Sequence, residues 1–143
     1  MIGVDIGGTK TALLVWDVRT DEAAAQETFP TPTESGPEAL IASLADAIDG
    51  LLAGCARGRS DLRAVGVAVP GVVDVTAGRV LTAGNLDGWT DVPLRDLIAA
   101  RLGVPVAIEH DAHAAALGER WRGAARDLTT FAFVAPGRRR ART

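Results

Sequence analysis

Three short stretches of the sequence carry residue types that can do chemistry. The first, GVDIGGTKT (residues 3–11), sets the carboxylate of Asp5 ahead of Gly7 and Gly8, followed by Thr9, Lys10 and Thr11. Lys10 is the only lysine in the chain; every other basic residue is an arginine. Glycines let backbone N–H groups approach an oxyanion closely, and the hydroxyls and the ammonium add donors. Asp5 would then serve a cation, most simply Mg²⁺ held through water beside phosphates. The stretch is not a Walker A loop, where Lys directly follows Gly, nor a dinucleotide fingerprint, which needs G-x-G-x-x-G opening a helix. An ordinary Gly-Gly hairpin turn accounts for the same residues.

The second stretch, AIEHDAHAAALGE (residues 107–119), delivers Glu109, His110 and Asp111 from an apolar strand to the start of a helix. A helix N-terminus favours an ionised carboxylate, and one at the C-terminal end of a strand can accept a proton from a substrate hydroxyl. The simpler alternative is that Asp111 caps the helix. A metal reading of Glu109, His110, Asp111 and His113 lacks the thiolates of a structural zinc site and is disfavoured. In the third stretch, TAGNLDGWTDVPL (residues 82–94), the Asn85 amide can donate and accept, which suits vicinal hydroxyls. Trp89 is either a surface for a sugar ring or, more simply, a packing anchor.

These residues need a scaffold, and the sequence describes one. Ile2, Val4 and Ile6 alternate with Gly and Asp, residues 7–10 turn, and residues 11–18 run apolar again: a β-hairpin. Residues 27–31 add a third strand. Ser35 and Glu38 stand at capping-box spacing before a helix that carries Leu40, Ile41, Leu44, Ile48, Leu51 and Leu52 and ends at Gly54. Residues 64–69 read as a buried strand broken by Pro70-Gly71, and residues 72–75 and 79–81 as a second hairpin. Asp91 is expected to cap a helix through Leu102, ending at Gly103. Residues 104–108 form a strand, residues 111–123 a helix and residues 128–134 a final strand. Strands first, then strand and helix in alternation, point to an α/β layer fold.

A chain of 143 residues fits one domain. With 48% hydrophobic residues it reads as globular, and no apolar run approaches the ~20 residues that cross a bilayer. The single Cys55 excludes an internal disulfide and a multi-cysteine metal site. The expected location is the cytoplasm. The net charge of −3 is uneven: four arginines fall in the last six residues, leaving residues 1–137 at −7. So acidic a body argues against nucleic acid as a partner, and nothing points to a membrane.

The stretches IGVDIGGTKT, VAVPGVVD, GNLDGWTDVPL, EHDAHAAALGE and LTTFAFVAPG, in this order, cover nearly the whole chain. In them the chain resembles the N-terminal domain of the ROK family (repressor, open reading frame, kinase). These are sugar kinases and sugar-responsive repressors of the actin-like ATPase superfamily. The resemblance implies a ribonuclease-H-like mixed sheet with helices on its faces, and an ATP-dependent kinase acting on a hexose such as glucose. Asp5, Gly7, Gly8, Thr9 and Lys10 would meet ATP phosphates. Asp111 would be the catalytic base for the sugar hydroxyl, and Gly71, Asn85, His110 and Asp111 would line the sugar pocket. The family usually has Asn at positions 110 and 113, where this chain has His, which bears on sugar preference.

The resemblance also implies a second lobe, carrying a further glycine loop, a zinc site and most of the adenosine pocket, none of which is found in residues 1–143. Residues 1–137 are therefore expected to be a ROK-type N-terminal domain. The basic tail, residues 138–143, reads as the mark of an interrupted reading frame or as a solvated end. The chain alone is expected to be inactive and to self-associate. The alternative is a non-catalytic sugar-binding module or remnant.

Overall fold

The alternation of Ile2, Val4 and Ile6 with Gly3 and Asp5 produces β1 (Ile2–Ile6), which buries the three branched residues on one face. In the computed structural model, which describes residues 1–134, β1 turns into β2 (Lys10–Asp17) and β2 into β3 (Glu22–Pro30). The helix α1 (Gly36–Gly54) follows, then a 3-10 turn (Arg59–Asp61) and β4 (Val65–Val69). Next come the short strands β5 (Val72–Asp74), β6 (Arg79–Thr82) and β7 (Thr90–Val92). The helix α2 (Leu94–Leu102), β8 (Val106–His110) and the helix α3 (Asp111–Arg122) complete the described elements.

The chain divides into two compact units, Met1–Asp111 and Ala112–Thr143. The first holds a five-stranded sheet in the order β3-β2-β1-β4-β8 and a three-stranded one in the order β5-β6-β7. β1 pairs antiparallel with β2 but parallel with β4, and β4 parallel with β8. Three strands therefore end at the same edge, and that edge carries the candidate site. The sheet is mixed and flanked by helices, as the family resemblance implied.

The apolar period of α1 buries Leu40, Ile41, Leu44, Ala45, Ile48, Leu51 and Leu52. Together with Ile2, Val4, Ile6, Val65, Val67, Val69 and Ile108 from the sheet, these form one core. Each fully buried Leu or Ile contributes about 1.5–3 kcal/mol. Trp89 joins the same core at 3% exposure, so its indole is a packing anchor and not a surface for a sugar.

Three local expectations are corrected. Ser35 makes no side-chain capping bond. Its ψ of 6° is not the extended cap geometry, Gly36 follows at φ +76°, and Pro37 has no N–H to be capped. Asp91 does not cap α2; Pro93 stands at that boundary. Asp91 lies within β7 at φ +53° and accepts a 2.7 Å bond from Arg79 Nε across the small sheet. Residues 128–134 form no strand: they find no ladder partner among the described residues, and the Leu128 carbonyl accepts a 2.6 Å bond from Arg120 instead. The basic tail, residues 138–143, lies outside the described residues.

Candidate functional site

Residues 7–10 leave the C-terminal end of β1 in a turn closed by a Gly7 N–H to Lys10 O bond of 3.0 Å. Glycine is needed at position 7 for space: a Cβ there would lie 2.8 Å from the Lys10 carbonyl oxygen. Thr31, just past β3, braces the turn from behind. Its N–H donates to Thr9 O at 3.0 Å, and its hydroxyl donates to Gly7 O at 2.8 Å and lies 2.9 Å from the Thr11 hydroxyl. Thr11 and Thr31 are buried, while Gly8, Thr9 and Lys10 stay exposed. The turn is thus fixed on its inner side and open on its outer side. Sequence reasoning missed Thr31, because its role depends on pairing across 20 residues with Thr11.

Asn85 comes to the same turn from far along the chain. A Cβ on Gly8 would run into the Asn85 side-chain nitrogen, so the amide lies directly against the turn. The loop that presents Asn85 is held by bonds from Ala83 N to Trp89 O (3.1 Å), Leu86 N to Ala83 O (3.0 Å) and Asp87 N to Thr33 O (2.8 Å). Buried Leu86 and Trp89 pin it, leaving Asn85 exposed. Gly71, at φ +100°, packs under this loop: a Cβ there would collide with the Thr82 carbonyl oxygen and lie 2.9 Å from Ala83 Cα.

The acidic residues arrive by register. Asp5 is level with Ala68 on β4, and Ala68 with Glu109 on β8; His110 and Asp111 follow at the strand's end. His110 Nδ1 lies 3.2 Å from Asp111 Oδ1, and the His110 backbone N–H donates to Glu109 Oε1 at 2.8 Å. The Asp5 carboxyl is pushed above its ordinary value, first by lost solvation, then by the negative charge of Asp111, with Lys10 opposing. Asp5, Lys10 and Asp111 therefore share one electrostatic environment. His113 is exposed on α3, in the second unit. No three His, Cys, Asp or Glu gather as metal ligands among the described residues. A hydrated divalent cation nevertheless fits, because a positive charge beside Asp5 would offset the lost solvation and the Asp111 charge that raise its carboxyl.

That strain is measurable. A carboxyl whose folded pKa is raised penalises folding once both states are ionised, and the penalty disappears as pH falls toward 3.8, the ordinary value. Asp5→Asn is therefore expected to raise the urea midpoint at pH 7, with the gain shrinking as the pH is lowered. A variant that is less stable at neutral pH would show that Asp5 is held by favourable contacts instead.

Residues 1–138 match the family described as the ROK family. The glucokinase of Halalkalibacterium halodurans is 36% identical over 123 residues, which are 86% of this chain and 37% of that protein. The xylose repressor of Caldicellulosiruptor bescii is 28% identical over 137 residues, 96% of this chain and 34% of its own length. The crystal structure of a ROK family glucokinase from Streptomyces griseus, in complex with glucose and AMPPNP, superposes with a TM-score of 0.74 at 39% identity. That match covers 87% of this chain and 37% of that one. The chain thus spans about a third of the length of the relatives it matches. On the match across 138 of its residues, the chain belongs to the ROK family.

Proposed function

We propose that residues 1–134 form the phosphate- and sugar-facing half of an ATP-dependent hexose kinase, working in the cytoplasm. One observation carries the reading: the 7–10 turn and the Asp111 carboxylate leave the same end of parallel strands, with Asn85 against Gly8. Donors for a nucleotide's phosphates, an acceptor for a hydroxyl proton and an amide for sugar hydroxyls thus share one edge.

In this reading the backbone of Gly7 and Gly8, with Thr9 and Lys10, holds the phosphates of ATP, and Asn85, Gly71 and His110 hold the sugar. Asp111 takes the proton of the attacking hydroxyl as its oxygen bonds to the γ-phosphorus and the bond to the β-phosphate oxygen breaks, releasing ADP. The transition state is loose, so positioning and charge neutralisation do most of the work, and a weak base suffices. Mg²⁺, held through water by Asp5, would neutralise charge on the phosphates when bound. The His110 ring beside Asp111 sets the sugar-facing surface and is the residue to change when testing sugar preference.

The relationship to a xylose repressor supports a second reading, a sugar-binding module without catalysis. Joining residues 1–137 to the C-terminal lobe of the Streptomyces griseus glucokinase separates the two. Glucose-dependent ADP release is the expected result. Glucose binding by the folded hybrid without ADP release would favour the module, and a folded hybrid that binds no sugar would remove both readings.

A further inference from the structure

At the opposite end of the five-stranded sheet, where β1 and β4 begin and β2 finishes, lies a cleft of about 260 Å³. Trp16, Asp17 and Arg19 form one wall; Arg57, Asp61 and Arg63, between α1 and β4, form the other. Both acids are committed to the protein. Asp17 is buried and accepts the Arg19 backbone N–H at 2.9 Å and the Arg57 guanidinium, which together hold its carboxyl below the ordinary value. Asp61 Oδ2 accepts the Gly58 N–H at 3.0 Å and closes its own turn.

The arginines are not so committed. Arg57 gives one guanidinium nitrogen to Asp17, and its other donors have no acceptor among the described residues. Arg63 makes no ion pair or hydrogen bond among the described residues. The Arg19 side chain is 84% exposed, and its Nε lies 3.8 Å from Asp17 Oδ1. The Met1 ammonium donates to Trp16 O at 2.9 Å; its pKa is lowered by lost solvation and then by the charge of Arg57. Three arginines thus line one cleft of a chain whose first 137 residues carry a net −7.

We propose that this cleft is a second anion site, distinct from the 7–10 turn, which takes a phosphate group either free or as the monoester of a small molecule. The planar fork of a guanidinium matches phosphate oxygens in pairs, and three such groups can surround one. β1 separates the two sites by its length, roughly 17 Å at 3.3–3.4 Å per residue, so one phosphate cannot serve both.

The test is a titration of the 143-residue chain, followed in ¹H–¹⁵N spectra, with inorganic phosphate and separately with glucose 6-phosphate, at an ionic strength held constant with chloride. Shifts are expected at the Trp16 indole N–H and at the backbone amides of Arg19, Arg57 and Arg63. The double variant Arg19→Ala, Arg63→Ala should weaken binding tenfold or more, Arg63→Lys should weaken it less than Arg63→Ala, and Lys10→Ala should leave these shifts intact. Arg19 and Arg63 are exposed, so the fold should survive, and the same spectra report it. Tighter binding of the ester assigns a phosphorylated small molecule, and equal binding assigns free phosphate. The proposal is overturned if these amides do not shift at about 10 mM phosphate, where a millimolar site is mostly filled. It is also overturned if the arginine variants bind as well as the parent, or if Lys10→Ala abolishes the shifts.

Discussion

Replacing Asp111 by Asn in the joined kinase is expected to lower kcat by about 10²–10⁴, the usual contribution of a positioned general base. The amide keeps the shape of the carboxylate and can still bond His110 Nδ1, which lies 3.2 Å from Asp111 Oδ1 in the parent chain. Sugar binding should therefore persist, with the glucose KM little changed, because the lost interaction belongs to proton transfer. The variant also removes the charge that raises the Asp5 carboxyl, so the fold should be at least as stable as the parent at pH 7. Asn85→Ala is the contrasting change. It removes an amide that lies against Gly8 but takes no proton, and it should raise the glucose KM more than it lowers kcat. If the Asp111 variant turned over at a near-normal rate, the carboxylate would be only the first residue of α3.

The legible parts of this fold are those that a local pattern determines. Alternating Ile2, Val4 and Ile6 can bury one face only as a strand, and Leu40, Leu44, Ile48 and Leu51 share a face only on a helix. β3 was legible at its C-terminal half, but Glu22, Ala23 and Ala24 gave no strand signal because this end of the edge strand is exposed at every residue. β7 was missed for a related reason: it is three residues long and exists because Val80 and Thr82 of β6 offer partners at Val92 and Thr90. Ser35 and Asp91 have cap-forming side chains, but capping depends on backbone angles, and Gly36 and Arg79 respectively direct those residues elsewhere.

The site divides the same way. Asp5, the glycine turn and Asp111 were legible because they adjoin strands of evident pattern, and the parallel pairing of β1, β4 and β8 then brings their ends together. The contact of Asn85 with Gly8 and the bracing of the turn by Thr31 were not legible, since both join residues far apart in sequence by side-chain geometry alone. Family resemblance placed Asn85 with the sugar residues; the structure puts it against the 7–10 turn.

Gly71→Ala is expected to be the most destabilising single-methyl addition in the first unit, costing about 2–6 kcal/mol. Two terms combine. At φ +100° an L side chain is strained by about 1–3 kcal/mol, and forcing a methyl into filled space costs about a further 1–3 kcal/mol. The obstructing atoms are the Thr82 carbonyl and Ala83 Cα, which are backbone and cannot rotate away. Thr82 is held by its pairing with Val72 and Thr90, so relief requires moving the strand or the loop that follows it. That loop carries Asn85, so even a folded variant should show altered Gly84 and Asn85 amide shifts and a higher glucose KM in the joined kinase. Gly50→Ala is the control: nothing lies within 4 Å of its added methyl, and an alanine inside α1 should stabilise by about 0.5–1 kcal/mol. Urea midpoints of the 143-residue chain measure both variants. A Gly71→Ala chain within about 0.5 kcal/mol of the parent, the range of ordinary surface changes, would mean that β6 and its loop yield easily. Asn85 would then be held against the 7–10 turn by something other than the Gly71 packing.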